Sequence, residues 1–261
     1  MTNVLSRHLK SGALGEGLAD IAEEAAALIL PYWRAGGSVE TKADDSPVTE
    51  ADRAAERLIL DRLDALYPGV QTVAEESACA DGLPEAVQSR FWLIDPLDGT
   101  RGFVRGGESF TVNIALIENG EPVAGVVTAP ALSLSWRTGP GGAFRRRFGE
   151  AWQPIRVRRK PEAGMAVLSH SVTDAEAERL AARHGCATWQ GTDSSIKFCF
   201  IAEGRFDVYP RTGPTSEWDT AAGDAVLRAA GGRVLTTDGA PLRYGKAAEK
   251  FLNPGFVAIG G

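Results

Sequence analysis

The 261-residue sequence has few of the residues that build several common sites. Its three cysteines are an odd number without a CxxC spacing, so neither a disulfide framework nor a cysteine zinc site is predicted. No window is long and apolar enough for a membrane span, and the N-terminal segment lacks the apolar core of a secretion signal. We therefore expect a protein of the reducing cytoplasm.

The chain also lacks an overall positive charge, since its formal net charge is −6 and its pI is about 5.3. This argues against a nucleic-acid partner. Basic residues gather in one stretch, 138–164, which we interpret as a solvated hairpin. The sequence leaves open a weak peripheral attachment to the inner face of the cell membrane through these arginines.

The patterns of covalent catalysis are missing as well. We find no Ser-His-Asp set, no reactive cysteine and no phosphohistidine motif. The three histidines, His8, His170 and His184, lack the spacing of metal ligands, and we interpret them as structural or exposed. Carboxylates are the groups that the sequence gathers instead.

The first part of the chain predicts helices followed by an antiparallel sheet. Apolar residues at helical spacing indicate helices over 18–33 and 46–69, and the spacing of Thr49 and Asp52 is that of a reciprocal N-terminal cap. The segment 109–138 alternates apolar and polar residues around an Asn-Gly turn, which predicts antiparallel strands.

The second part differs, because strands alternate there with helices. This alternation favours a partly parallel sheet with helical crossovers. We therefore predict an N-terminal α+β subdomain over 1–150 with an antiparallel sheet, and a C-terminal α/β subdomain over 151–261 with a mixed sheet.

The motif WLIDPLDGTRGF, residues 92–103, places two acids at the end of an apolar strand. Strand ends are where open α/β sheets collect ligands. Pro96 fixes φ and Gly99 permits unusual backbone shapes, so a tight turn can aim Asp95 and Asp98 at one point. Two close carboxylates repel unless one is protonated or a cation lies between them. The motif alone leaves open a divalent cation site or a turn satisfied by backbone amides.

Further acids lie near other predicted element ends. Glu75 and Glu76 close a predicted strand over 71–77. Asp219 precedes a predicted helix in WDTAAGDAVLRAAGG, and Asp52 begins an earlier one. Taken singly, the two aspartates are better interpreted as helix caps. Together with the DPLDGT motif, these stretches point to one shared site.

The combination of AEES, DPLDGT and WDTAAG resembles the magnesium-dependent, lithium-sensitive phosphomonoesterases typified by inositol monophosphatase and fructose-1,6-bisphosphatase. The resemblance covers most of the chain, from about residue 18 to the C-terminus. The segment SSIKFCFIAEGRFDVYPRTGPTSEWDTAAGDAVLRAAGG, with GAPLRYG and FLNPGF, looks like the bacterial 3'(2'),5'-bisphosphate nucleotidases, which act on a by-product of sulfate activation. The resemblance implies a layered α/β/α/β/α sandwich with the metals at the junction of its sheets.

The resemblance also implies a metal site that binds two or three Mg²⁺ ions. Asp52 and Thr100 match the pair that orients and deprotonates the attacking water, which Glu75 shares from the metal side. The positions that match metal ligands are Glu75, Asp95, the carbonyl of Leu97, Asp98 and Asp219, with Glu76 at a weaker third site.

A substrate pocket in the C-terminal part is implied in the same way. Lys197 would meet the phosphate that is not cleaved, while Arg211 and Glu217 would contact ribose or base, or else be surface or packing residues. Asp193 stands where relatives often have glycine, so it either faces away or alters specificity. The positions that match the substrate site are Leu97, Asp98, Gly99, Thr100, Ser194, Ser195, Lys197, Arg211 and Asp219.

The resemblance predicts an enzyme that removes the 3'-phosphate of adenosine 3',5'-bisphosphate, with its 5'-phosphosulfate analogue as a further substrate, by two-metal activation of water. Inositol-1-phosphate hydrolysis is the alternative within this class. A non-catalytic metal- or nucleotide-binding regulator is the alternative from another class, and it is disfavoured because the matched ligands and the catalytic threonine are all present. The sequence leaves open a monomer or a homodimer.

Overall fold

Helices form in segments rich in alanine, leucine and glutamate, and strands in segments rich in β-branched residues. The computed structural model describes residues 2–35, 39–41 and 47–261. The helices are α1 (Thr2–Ser11), α2 (Ala13–Ile29), α3 (Glu50–Leu66), α4 (Glu75–Asp81), α5 (Thr100–Val104), α6 (Asp174–Arg183), α7 (Ile196–Ala202) and α8 (Ala221–Ala229). The strands are β1 (Val39–Thr41), β2 (Pro47–Thr49), β3 (Gln71–Ala74), β4 (Arg90–Asp98), β5 (Thr111–Glu118), β6 (Glu121–Ala129), β7 (Leu134–Gly139), β8 (Gly142–Arg147), β9 (Gln153–Ile155), β10 (Gly164–Leu168), β11 (Cys186–Gly191), β12 (Val208–Arg211), β13 (Thr215–Ser216), β14 (Arg233–Thr236), β15 (Leu252–Asn253) and β16 (Phe256–Ile259).

The larger sheet has seven strands in the order β3-β4-β5-β6-β7-β8-β9. Only the β3–β4 pair is parallel, and the other neighbours are antiparallel. The predicted turn joins β5 to β6, where Asn119 and Gly120 both have positive φ, as a two-residue hairpin turn requires. The predicted antiparallel sheet is therefore confirmed.

The smaller sheet has five strands in the order β11-β10-β12-β16-β14. Strand β10 is parallel to β11 and β12, whereas β16 is antiparallel to β12 and β14. This mixed pairing confirms the partly parallel sheet predicted for the second part. Two elements of the second part contact the larger sheet, since β9 extends it beyond residue 150 and α8 packs on β5 and β6. The division into two subdomains at residue 150 stays a prediction.

The helices cover both sheets and complete the layered α/β/α/β/α sandwich. Helices α2 and α3 pack on one face of the larger sheet, and α8 packs on the other. Helices α7 and α8 lie between the two sheets, and α6 covers the outer face of β10 and β11. Gly125 of β6 allows the closest approach to α8, because a Cβ there would lie 2.9 Å from the carbonyl oxygen of Ala222.

Two sequence predictions need correction. The predicted strand over 71–77 ends at Ala74, and Glu75 begins α4 instead, because the Glu56 side chain accepts the N–H groups of the first turn of this helix. The helix predicted over 18–33 begins at Ala13, and Pro31 lies in a 3₁₀ turn after its end. The helix predicted over 46–69 is α3, and residue 46 lies outside the described residues.

The arginine stretch forms a hairpin as predicted, since β8 pairs with β7 and β9. It is less solvated than expected, because several of its arginines pair with carboxylates of the same chain. The pairs are Arg145 with Glu203, Arg146 with Glu23, and Arg158 with Asp207. Within the described ranges, none of the helices has the length and hydrophobicity that crossing a membrane requires.

Candidate active site

Three elements bring acidic side chains together where the two sheets meet. Glu75 begins α4, Asp95 lies near the end of β4, and Asp219 lies two residues before α8. One carboxylate oxygen from each of the three lies within 4.8 Å of the others. Asp95 is fully buried, whereas the other two are half-buried. Oxygen ligands held this closely suit a hard divalent cation.

The backbone between Asp95 and Asp98 aims both side chains. The pairing of β4 with β5 shifts register between them, so that the Pro-Leu pair bulges out of the ladder. Pro96 has no N–H to lose there, and the N–H of Leu97 donates to Asp95 at 3.0 Å. The bulge leaves the Leu97 carbonyl to accept a bond from the Thr100 hydroxyl at 3.0 Å.

Asp52 approaches the same point from the start of α3. Its Oδ2 accepts bonds from the N–H and the hydroxyl of Thr49, which completes the predicted capping box. Its Oδ1 lies 3.2 Å from the hydroxyl of Thr100, whose single proton can be donated either to this oxygen or to the Leu97 carbonyl. The helix cap and the contact with the DGT motif are therefore not alternatives, because one carboxylate makes both.

Asp98 is held from the opposite side of the cleft. The N–H of Ser195 donates to its Oδ2 at 2.6 Å. The Ser195 hydroxyl turns inward instead, where it contacts Asn113 at 2.6 Å and Thr111 at 2.9 Å. Ser195 thus meets the site through its backbone N–H, with its own side chain buried.

Cationic groups border the acidic cluster. The Lys197 side chain is buried and donates to the carbonyls of Ser194 at 2.5 Å and Thr192 at 3.3 Å. Burial lowers the pKa of Lys197 to about 8, while the charge of Asp98 opposes this shift. Arg211 donates to the carbonyl of Pro214 at 3.1 Å and lines the same cleft.

The cleft itself has a volume of about 670 Å³, within the range of small-molecule sites. It is lined by Glu75, Asp95, Asp98 and Asp219 and by the two cations named above, together with residues that the sequence interpretation did not assign to it. Arg101 of α5 and Arg105, which directly follows this helix, line one part, and His170 and Asp193 line another. His170 was expected to be structural or exposed, and it is exposed in the cleft. It lies two residues after the end of β10, and a position so close to a strand end was the signal that could have marked it.

A profile of the inositol monophosphatase family matches residues 15–254. The chain belongs to this family. The 3'(2'),5'-bisphosphate nucleotidase CysQ of Escherichia coli strain K12 is 44% identical over 219 residues, which cover 84% of this chain and 87% of that protein. CysQ of Salmonella typhimurium strain LT2 is 42% identical over 244 residues, which cover 92% and 97%. The crystal structure of CysQ from Bacteroides thetaiotaomicron superposes with a TM-score of 0.77 at 32% identity, covering 95% and 97%.

Enzymes of the inositol monophosphatase family depend on metal ions, generally Mg²⁺. The residues of this chain fit such an ion, since its convergent donors are all carboxylate oxygens. Desolvation and the charge of Glu75 raise the pKa of Asp95 well above its usual range. Desolvation also raises the pKa of Asp98 to about 6 and that of Asp219 to about 7. The cluster therefore needs protons or cations to offset its charge.

Two substrate-site expectations have clear outcomes. For Glu217 the sequence left open a contact with ribose or base or a packing role, and the structure favours packing, because Glu217 is fully buried and accepts the N–H groups of Gly245 at 2.6 Å and Lys246 at 3.0 Å. It ties the segment before α8 to this loop. Asp193 does not face away, since it lines the cleft 3.4 Å from Nδ1 of His170. Glu76 lies outside the convergent group, and its part in a third cation site stays a prediction.

Without metal ions, the protein should lose stability as pH rises toward neutrality. The pKa values of Asp95, Asp98 and Asp219 are raised in the folded chain, whereas in the unfolded chain they return to about 4. The folded state then binds more protons than the unfolded state between about pH 4 and pH 7, so stability falls as pH rises. We expect a lower Tm in EDTA at pH 7.5 than at pH 6, and a larger rise in Tm with Mg²⁺ at pH 7.5. Thermal unfolding measures both.

The matched control is Asp95→Asn, which removes one of the carboxylates whose pKa is raised. This variant should flatten the dependence of Tm on pH in EDTA. The claim that the pKa values of these carboxylates are raised would be contradicted by either of two results. One is a variant whose Tm depends on pH as strongly as that of the wild type, and the other is a wild-type Tm in EDTA that rises from pH 6 to pH 7.5.

Proposed function

We propose that the chain is a Mg²⁺-dependent 3'(2'),5'-bisphosphate nucleotidase that hydrolyses the 3'-phosphate of adenosine 3',5'-bisphosphate to AMP and phosphate. The observation that carries the proposal is the presence, in one cleft, of the acidic cluster and of the cationic pair Lys197 and Arg211. A substrate with two phosphates uses both groups. The similarity to CysQ proteins supports this substrate.

The residues proposed to hold Mg²⁺ are Glu75, Asp95, the Leu97 carbonyl, Asp98 and Asp219. Four carboxylates carry four negative charges, which two divalent ions would neutralise. When bound, Mg²⁺ supplies Lewis-acid polarisation of the phosphoryl group and acidifies water. Phosphate monoesters hydrolyse very slowly in water, so charge stabilisation of this kind must supply much of the acceleration.

Proton removal is proposed for Thr100 and Asp52. The Thr100 hydroxyl has a single proton, which it can donate to Oδ1 of Asp52, and Thr100 lines the cleft. In that state its oxygen accepts a hydrogen bond from a water molecule in the cleft. As the water attacks phosphorus, its proton passes to the Thr100 oxygen while the hydroxyl proton passes to Asp52. The bond between phosphorus and the 3'-oxygen of the ribose breaks, and this oxygen takes up a proton from solvent water to leave as the alcohol.

The phosphate to be cleaved is proposed to meet the first turn of α5. Gly99 precedes this turn with a φ of 93°, a conformation that side chains disfavour. The first N–H groups of a helix have no partner inside the helix, and residues 99–102 line the cleft. Successive N–H groups of this kind suit a phosphate oxygen.

The second phosphate distinguishes the proposed substrate from inositol-1-phosphate. Lys197 is buried among carbonyl groups, and Arg211 lies beside it on the wall formed by the smaller sheet. Ser194 also lines this wall. We extend the proposal to the 5'-phosphosulfate analogue, because a further anionic group would find Arg101 and Arg105 in the same cleft.

The test of the substrate is phosphate release with Mg²⁺ on adenosine 3',5'-bisphosphate, inositol-1-phosphate and fructose-1,6-bisphosphate. We expect kcat/KM to be about 100-fold higher for the nucleotide than for inositol-1-phosphate, which lacks the second phosphate, the range that two charge-assisted bonds provide. Lys197→Met removes the charge but keeps a long side chain, and it should lower kcat/KM for the nucleotide but not for inositol-1-phosphate. The proposal that the nucleotide is the substrate would be contradicted by equal kcat/KM values on all three substrates. It would also be contradicted if Lys197→Met lowered kcat/KM equally on all three.

Two variants should distinguish the residues that bind metal from those that move the proton. Asp95→Asn should abolish activity and weaken Mg²⁺ binding, because it removes the most buried carboxylate of the cluster. Thr100→Ala should lower kcat by about 10²- to 10⁴-fold, the usual contribution of general-base catalysis, with Mg²⁺ binding largely kept. Thr100→Ser is the control, since it retains the hydroxyl. Calorimetric titration with Mg²⁺ measures binding, and equal metal loss in both variants would undo this division of roles.

Asp193 should weaken binding of the bisphosphate, because its carboxylate lies in the cleft with the substrate anions. We expect Asp193→Asn at pH 7 to lower KM about two- to fivefold with little change in kcat, the size of an exposed charge interaction. The effect should shrink at 1 M salt, where charges are screened. A KM that is unchanged at low salt would show that the substrate does not approach Asp193.

A further inference from the structure

A buried carboxylate outside the proposed ligand set connects two parts of the site. Glu56 of α3 is 4% exposed, and none of the roles above involves it. Its Oε2 accepts the N–H of Glu76 at 2.8 Å. Its Oε1 accepts the N–H of Ser77 at 2.8 Å and the Ser77 hydroxyl at 2.5 Å. Both oxygens of this side chain therefore bind the first turn of α4.

Helix α4 depends on this contact because its own sequence supplies no cap. Its N-cap residue is Ala74, which has no side-chain oxygen to accept the unpaired N–H groups of the first turn. A helix of seven residues is also too short to be stable alone. Glu56 performs the capping function from a different helix, 20 residues earlier in the chain.

The residue that begins α4 is Glu75, whose carboxylate oxygen joins those of Asp95 and Asp219 within 4.8 Å. Its neighbours Glu76 and Ser77 are the two residues that Glu56 binds. The direction of the Glu75 side chain is therefore set by the turn that Glu56 fixes.

The same face of α3 also carries Asp52, four residues before Glu56, and residues at this spacing lie one above the other. Asp52 contacts Thr100, whereas Glu56 contacts the turn of Glu75. One rigid helix thus sets the position of the proposed base and of a proposed metal ligand relative to each other.

We propose that Glu56 is a positioning residue that holds Glu75 in the metal cluster, so that α3 fixes the spacing between the cluster and Thr100. This inference rests on the proposed role of Glu75 as a ligand. It does not depend on which phosphate ester is the substrate.

The test is Mg²⁺ binding to the full chain without substrate, measured by calorimetry for the wild type and for Glu56→Gln. The amide must place an NH₂ group against one of the N–H donors, so one contact becomes repulsive. We expect the Kd for Mg²⁺ to rise about tenfold, the effect typical of partners that orient a metal ligand. The Mg²⁺ concentration for half-maximal activity should rise in parallel, while KM for adenosine 3',5'-bisphosphate at saturating Mg²⁺ stays unchanged.

The matched control is Asp207→Asn. Asp207 is a carboxylate of similar burial that also accepts a backbone N–H, from Met165 at 2.7 Å, and its other partner is Arg158. It does not line the cleft. Both variants should lower Tm, but only Glu56→Gln should change the Kd for Mg²⁺.

A milder variant keeps the inference testable if Glu56→Gln does not fold. Ser77→Ala removes one of the three bonds to Glu56 and should raise the Kd for Mg²⁺ by a smaller factor. An unchanged Kd in a folded Glu56→Gln, or equal changes in Glu56→Gln and Asp207→Asn, would overturn the inference. Failure of the proposed function looks different, because the wild type would then bind Mg²⁺ but release no phosphate from the nucleotide.

Discussion

The mutual repulsion of the clustered carboxylates is the physical constraint on which the rest of the site depends. Glu75, Asp95 and Asp219 come from three separate elements, and their oxygens lie within 4.8 Å of one another. Removal from water and the nearby charges raise the pKa of Asp95 and of Asp219. The fold must therefore hold these groups against a force that separates them, and cations relieve this force when they bind.

The chain meets this constraint at Asp95, Asp98 and Asp219 with hydrogen bonds from backbone N–H groups. The N–H of Leu97 fixes Asp95, that of Ser195 fixes Asp98, and that of Ser216 contacts Asp219 at 3.3 Å. Such bonds orient one part of a carboxylate while leaving its remaining lone pairs for a cation. A backbone donor carries no net charge, so it fixes the acid without competing with the metal as an arginine would.

The sequence predicts the parts of the site that depend on local patterns. The strand before Asp95 and the cap formed by Asp52 and Thr49 follow from residues close in sequence, and both are present. The start of α4 was missed, because Glu56 supplies its cap from 20 residues away. The role of Glu217 was left open for a similar reason, since the N–H groups that bind it belong to a loop 28 residues further on. Periodicity and short motifs carry no signal for such contacts.

Different parts of the fold supply the residues proposed for the reaction and those proposed for substrate choice. The larger sheet and the helices packed on it supply Asp52, Glu75, Asp95 and Thr100, which are proposed to bind metal and move the proton. The ends of the smaller sheet supply the groups proposed to face the rest of the substrate: Arg211 ends β12, and His170 and Asp193 follow β10 and β11. Loops at strand ends can change without disturbing the hydrogen bonds that hold the acids. A residue such as Asp193 can therefore tune which phosphate ester is accepted while the acidic cluster keeps its geometry.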